Sequence, residues 1–167
     1  RAAKVISNYS GKKAFTIHKK IYRKKNAASP EMNFVLGDNL MENTIFIVDE
    51  ASMISDMVHD YSRQSLLEDL VSYVYNGKNC KLMFVGDTAQ LPPVGAELSP
   101  ALNKEILSSD FRLKVLSYEL TDVVRQEKES GILYNATQLR ELIRKGKQTF
   151  PKFSIRAYRD IFRMTGE

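Results

Sequence analysis

Thr44-Ile45-Phe46-Ile47-Val48-Asp49-Glu50 and Lys81-Leu82-Met83-Phe84-Val85-Gly86-Asp87 decide the fold. Each is a short apolar run, rich in β-branched or aromatic side chains, that stops at an acid. A run without polar alternation reads as a strand buried on both faces, the pattern of parallel sheets. Between the two runs, Met57, Tyr61, Leu67, Leu70, Val71 and Val74 recur at helical spacing, which predicts one long amphipathic helix over 55–75, closed by Asn76-Gly77. Strand, helix, strand in this order is an α/β pattern, a parallel sheet flanked by helices.

Working outward, residues 1–9 read as a short helix ending near Gly11, and Thr16 caps a second helix over 17–25 with Lys20 and Lys24 on one face. Residues 26–30 are a linker, and 33–36 a short strand followed by a turn at Gly37-Asp38-Asn39. Pro92-Pro93 and Gly95 impose a stiff loop. Val115 to Leu120 predicts a third strand. Residues 130–145 predict a helix with Ile132, Ala136, Leu139 and Ile143 as its apolar stripe and Gly146 as its stop. Residues 148–167 give no clear element, and no repeat or low-complexity tract occurs.

The chain has 167 residues, enough for one domain with a real core. No apolar run approaches the ~18 residues a membrane helix needs, and no secretory leader pattern is present. Cys80 is the single cysteine, so no internal disulfide can form, and a cytoplasmic setting is expected. Cys80, His18 and His59 give no zinc spacing. The net charge of +5 is unevenly placed: residues 1–30 hold nine basic groups and no acid, and the other 137 hold 16 basic and 20 acidic groups. The N-terminal field either attracts a polyanion with salt-dependent affinity or is a solvated basic face.

In open α/β sheets, ligands sit beyond the carboxyl ends of the strands. Asp49-Glu50 and Asp87 stand there. Of two adjacent carboxylates, one can hold Mg²⁺ and the other can orient or deprotonate a water. The alternative is that both cap the following helix near Ser52 and Ser55. In Gly86-Asp87-Thr88-Ala89-Gln90-Leu91-Pro92-Pro93-Val94-Gly95, the Gln90 amide can donate to a phosphate oxygen and accept from water at once, or be incidental to a loop. In Leu120-Thr121-Asp122-Val123-Val124-Arg125-Gln126, the Arg125 guanidinium can reach transferring phosphate oxygens or make a surface ion pair.

Taken together and in this order, these motifs resemble superfamily 1 DNA helicases of the RecD-like branch. Ile45 to Met53 resembles the Walker B motif, Gly86 to Gly95 motif III, and Leu120 to Gln126 motif IV. Arg1-Ala2-Ala3-Lys4 with Thr16-Ile17-His18 resembles motif Ia and its following segment. The resemblance covers residues 1 to about 146 and implies a partial P-loop NTPase (RecA-like) motor domain 1A, with a small 1B-like insertion at 26–43 and residues 147–167 unassigned. It implies that Asp49 coordinates Mg²⁺, Glu50 activates water, Gln90 contacts the γ-phosphate of ATP, Arg125 stabilises transition-state charge, and Asp87 lies at the nucleotide. Arg1, Lys4, Thr16, His18, Pro92 and Pro93 would line the path of single-stranded DNA, travelled 5′ to 3′. Within the insertion, Phe34 is either a wedge between strands or a core phenylalanine. His18 either packs on the DNA strand or is structural, and His59 is expected to be structural.

One departure from the family stands out. The P-loop pattern Gly-x-x-x-x-Gly-Lys-Ser/Thr does not occur, since Gly11-Lys12, Gly77-Lys78 and Gly146-Lys147 each lack the earlier glycine. The expectation is a fragment of an ATP-dependent DNA helicase whose P-loop precedes Arg1. Such a fragment would be inactive alone, with no membrane partner and with self-association left open by bare strands. Two other readings remain: a P-loop ATPase remodelling a non-DNA substrate, and a non-catalytic nucleic-acid-binding module.

Overall fold

The computed structural model describes residues 2–24, 34–58, 64–120, 130–146, 149–155, 158–162 and 164. These fall into two compact units, Arg1–Leu116 and Ser117–Glu167. Among the described residues, no helix is long and apolar enough to cross a membrane.

The first unit opens with α1 (Ala2–Ser10), which stops where Gly11 turns to φ 65° and returns its N–H to Ser7 O at 3.1 Å. Thr16 caps α2 (Ile17–Ile21) by accepting from Lys19 N at 3.3 Å. The helix is shorter than 17–25. At Tyr22 the backbone becomes extended, and β1 (Tyr22–Lys24) pairs antiparallel with β2 (Phe34–Leu36). Cross-strand pairing has overridden the helix preference of the lysines. Of the insertion expected at 26–43, residues 26–33 lie outside the described residues, and β2 falls within it while β1 precedes it. Phe34 is 54% exposed on β2, so it is no core residue.

The centre of the unit is β3 (Ile45–Val48) paired parallel with β4 (Lys81–Phe84), in the register Ile45–Lys81 through Val48–Phe84. Between them runs α3 (Leu66–Tyr75), whose Leu67, Leu70, Val71 and Val74 are buried in one core with Val48, Ile54 and Ile21, against which Phe46, Leu82 and Phe84 pack. The opposite sheet face is open, with Ile45 59% and Ile47 66% exposed and Met83 and Val85 exposed beside them. Burial on both faces is therefore corrected to burial on one.

The long helix over 55–75 is also corrected. Ser65 and Glu68 form a capping box, Ser65 Oγ accepting from Glu68 N at 3.2 Å and Glu68 Oε2 from Ser65 N at 2.6 Å, and this starts the helix at Leu66 rather than at residue 55. Upstream, Val58 bridges Ser65 in antiparallel fashion and Met57 is exposed, while Tyr61 and His59 lie outside the described residues. Buried Asn39 closes the other end of α3 by donating to Val74 O at 3.2 Å, a close approach that Gly77 permits because a Cβ there would strike the Asn39 side chain. Tyr22 donates to buried Asp69 at 2.6 Å, which ties β1 to α3. Burial first, then that bond and the Asp69 charge, push the phenol pKa far up.

After β4 the chain makes turns, a 3₁₀ turn at Pro100–Leu102 and α4 (Lys104–Ser109). The strand predicted for 115–120 is absent. Val115 packs on the core, but Leu116, Tyr118 and Leu120 are exposed and belong to no strand or helix.

In the second unit, α5 (Gly131–Arg144) buries Gly131 and Asn135, whereas Ile132, Leu139 and Ile143 of the predicted stripe are exposed. Polar anchors hold it. Asp160 accepts from Ser130 Oγ at 2.6 Å, Gly131 N at 2.9 Å and Ile132 N at 3.3 Å. The Asn135 side chain exchanges two bonds with Ser154, each 2.8 Å. The Ser130 hydroxyl, then the Gly131 amide, hold the Asp160 carboxyl below the usual carboxylate range. A depressed pKa means the cap stabilises fully above the unfolded-state value and is lost as pH falls through the folded one. Asp160→Asn is thus expected to lower the melting temperature at neutral pH and to shrink the acid-induced loss of helical signal, both read by circular dichroism. Equal pH profiles for variant and wild type would show that the cap is idle.

Candidate functional site

Parallel pairing fixes where the two acidic strand ends lie. The ladder runs on past both strands, with Val85 N donating to Val48 O at 2.8 Å and Ala51 N to Val85 O at 2.9 Å. Asp49 and Glu50 therefore lie beside Val85 and Gly86, at the same edge of the sheet as Asp87. Asp49 and Glu50 are exposed. Glu50 sits at φ 55°, ψ 39°, the left-handed region, which costs a non-glycine residue about 1–2 kcal/mol. There it opens a 3₁₀ turn, Ala51–Met53, without a side-chain capping bond. The alternative of acids capping a helix at Ser52 or Ser55 is not what forms, and Ser55 Oγ instead accepts from Met57 N at 3.0 Å.

The second loop is folded by Asp87. Its Oδ1 accepts from Ala89 N at 3.0 Å and its carbonyl from Gln90 N at 3.1 Å, an Asx-type turn that leaves the Gln90 side chain exposed. Pro92 is exposed and Pro93 buried. Gly86 is required by contact, because a Cβ there would lie 2.9 Å from Ser52 N and 2.9 Å from Leu102 Cδ1.

Three further residues, of which only Ser99 went unremarked in the sequence, complete the arrangement. Ser99 is 1% exposed, and its hydroxyl lies 2.8 Å from Ala51 O and 2.7 Å from Ile54 O while accepting from Ala101 N at 3.3 Å. It fastens the turn after Glu50 from 45 or more residues away. Gly86 is the second. Ser52 is the third: its Oγ is buried without a hydrogen-bond partner among the described residues, a cost of about 1–3 kcal/mol. No pattern in the sequence marks Ser99, because its partners are backbone atoms of a distant segment.

Of the other expected site residues, Lys4 is exposed on α1. Thr16 spends its hydroxyl on the α2 cap, and His18 is exposed beside Tyr22 with ring centroids 5.6 Å apart. Arg1 and Arg125 lie outside the described residues. No group of three or more His, Cys, Asp or Glu suited to a metal occurs among the described residues. A Mg²⁺ shared with a nucleotide does not need one, since it keeps several waters and takes one or two carboxylates plus substrate phosphates. The exposed Asp49 carboxylate fits that donor set.

Two substitutions probe this geometry. Asn tolerates the left-handed region, so Glu50→Asn should raise the unfolding free energy by up to about 1 kcal/mol. Ser99→Ala should lower it by roughly 1–3 kcal/mol, through the lost hydroxyl contacts to Ala51 O and Ile54 O in a buried site. Urea unfolding measures both, and a stable Ser99→Ala protein would show that the turn holds without its fastener.

A family model described as an AAA domain matches residues 1–161. No curated protein and no solved structure matches the chain. The family match spans both acidic strand ends and the loop after β4, and the mixed α/β architecture agrees with a partial P-loop NTPase fold. The chain belongs to the AAA domain family of P-loop NTPases.

Proposed function

We propose that this chain is part of an ATP-dependent DNA helicase or translocase, coupling Mg-ATP hydrolysis to movement on single-stranded DNA. The observation that carries the reading is the shared edge of β3 and β4, which puts Asp49-Glu50 beside Gly86-Asp87 in the first turn beyond two parallel strands. In this reading Asp49 is the protein's ligand to Mg²⁺, which supplies charge neutralisation at the phosphates. Glu50, held by its unusual backbone, takes a proton from the attacking water. Gln90, three residues past Asp87, contacts the γ-phosphate and orients that water. Arg125 supplies the guanidinium for charge on the transferring group. Arg1, Lys4, Thr16, His18 and Pro92 line the DNA path, with buried Pro93 shaping the loop beneath it. Support for a nucleic acid partner comes from the basic N-terminal field, in which no lysine forms an ion pair among the described residues.

The 167 residues hold no P-loop pattern, so the test uses the gene's complete product. DNA-stimulated ATP hydrolysis and strand separation are measured for wild type and Glu50→Gln. Loss of a general base lowers turnover by about 10²–10⁴-fold, with single-strand binding retained. Hydrolysis indifferent to Glu50→Gln sinks the proposal. Hydrolysis that single strands do not stimulate favours remodelling of a non-DNA substrate. DNA binding with no ATP hydrolysis favours a binding module.

A further inference from the structure

The basic N-terminal segment carries an exposed aromatic ring that neither the core nor the hydrolysis site uses. Phe15 is 47% exposed and has no polar atom to justify it. Its backbone is nonetheless pinned on both sides. Ala14 N donates to Ser7 Oγ at 2.7 Å, which ties the loop to α1, and Thr16 is the fixed N-cap of α2. The Lys20 ammonium stands 5.8 Å from the Phe15 ring centroid and 5.7 Å from that of Phe46, in β3. A cation at that distance from both rings holds the Phe15 side chain to the body of the unit. Lys12, Lys13 and Lys19 flank the ring in sequence, and all are exposed without an ion pair among the described residues. A pre-set ring amid free cations is what an unpaired, stacked base with phosphates on either side requires.

We infer that Phe15 is a stacking platform for one base of a bound single strand, with Lys12, Lys13 and Lys19 taking the adjoining phosphates. The inference rests on the DNA reading above and adds a contact to it. It predicts affinity with two separable parts: a stacking part that needs a base, and a charge part that needs salt-sensitive phosphate contacts. What sets a stacked base apart from other polyanions is that the ring's share of the affinity needs a base on the strand and not charge alone.

The test is fluorescence anisotropy of the 167-residue chain on two labelled oligonucleotides of equal length, one of thymidines and one abasic throughout, over a range of salt. Phe15→Ala should weaken binding to the thymidine strand about 5–150-fold, the range of one base–aromatic stack, with Phe15→Trp restoring it. On the abasic strand Phe15→Ala should bind as wild type does. The salt dependence should be unchanged by Phe15→Ala, whereas Lys12→Ala with Lys13→Ala should lower the log–log slope by about 1.4, at roughly 0.7 per phosphate contact on a single strand. Far-UV circular dichroism confirms that each variant is folded. Phe15→Ala binding the thymidine strand like wild type, or losing equally on both strands, overturns the stack while leaving the DNA reading in place. A wild type that binds neither strand at low salt overturns the DNA reading itself, and the stack with it.

Discussion

Parallel pairing of β3 with β4 is the constraint on which the remainder of the first unit depends. Parallel strands run the same way, so whatever follows each of them emerges at the same edge. The pairing also continues beyond the regular strands, through Val85 N to Val48 O and Ala51 N to Val85 O. These bonds hold the backbone on either side of Glu50 against the backbone before Gly86. A slip of one residue would turn Phe46 and Val48 away from α3 and carry the acids off the edge with them. Register is therefore set by the apolar packing on the α3 side, and the position of the carboxylates is its consequence.

That dependence explains which features were legible in the sequence. Both strands are found where the apolar runs stop on acids, with ends at Val48 and Phe84. The Thr16 cap, the Gly11 and Gly146 stops and the helix before Gly146 are local signals and can be read locally. What a linear pattern could not separate was period from partner. Met57 continues the helical spacing of Leu67 and Leu70, but the capping box at Ser65 and Glu68 decides where the helix begins. Val115 to Leu120 has strand composition, yet a strand exists only where another offers hydrogen bonds. The apolar runs at β3 and β4 read as doubly buried because composition records the character of both faces, and only the α3 face is covered here.

The site divides in the same way. Asp49, Glu50 and Asp87 announce themselves by chemistry at strand ends, and parallel pairing brings those ends to one edge of the sheet, with Gln90 exposed in the turn that follows. Ser99, Ser52 and Gly86 act through contacts that sequence proximity does not encode. The second unit shows the same limit more strongly. Asp160 and Asn135 hold α5 by polar bonds to its first turn and to Ser154, whereas the apolar stripe that predicted the helix remains in solvent. The periodicity correctly marked a helix but not the face by which it is anchored.

The turn after β3 concentrates cost. Glu50 adopts a backbone conformation that L side chains avoid, and two residues later a buried hydroxyl has no partner among the described residues. Neither is needed to end a strand, because a glycine or asparagine would do so with less strain and an alanine would fill the place of Ser52. Such costs persist only where the surroundings over-determine them. Here the surroundings are the ladder bond from Ala51 N, the hydroxyl of Ser99 on Ala51 O and Ile54 O, and the glycine at position 86 that lets the two loops touch. Three independent restraints on one short turn exceed what reversing the chain requires. They are the physical means by which a carboxylate can be kept in one place while remaining exposed, and a fixed carboxylate is what a group must be to meet a water in a reproducible geometry.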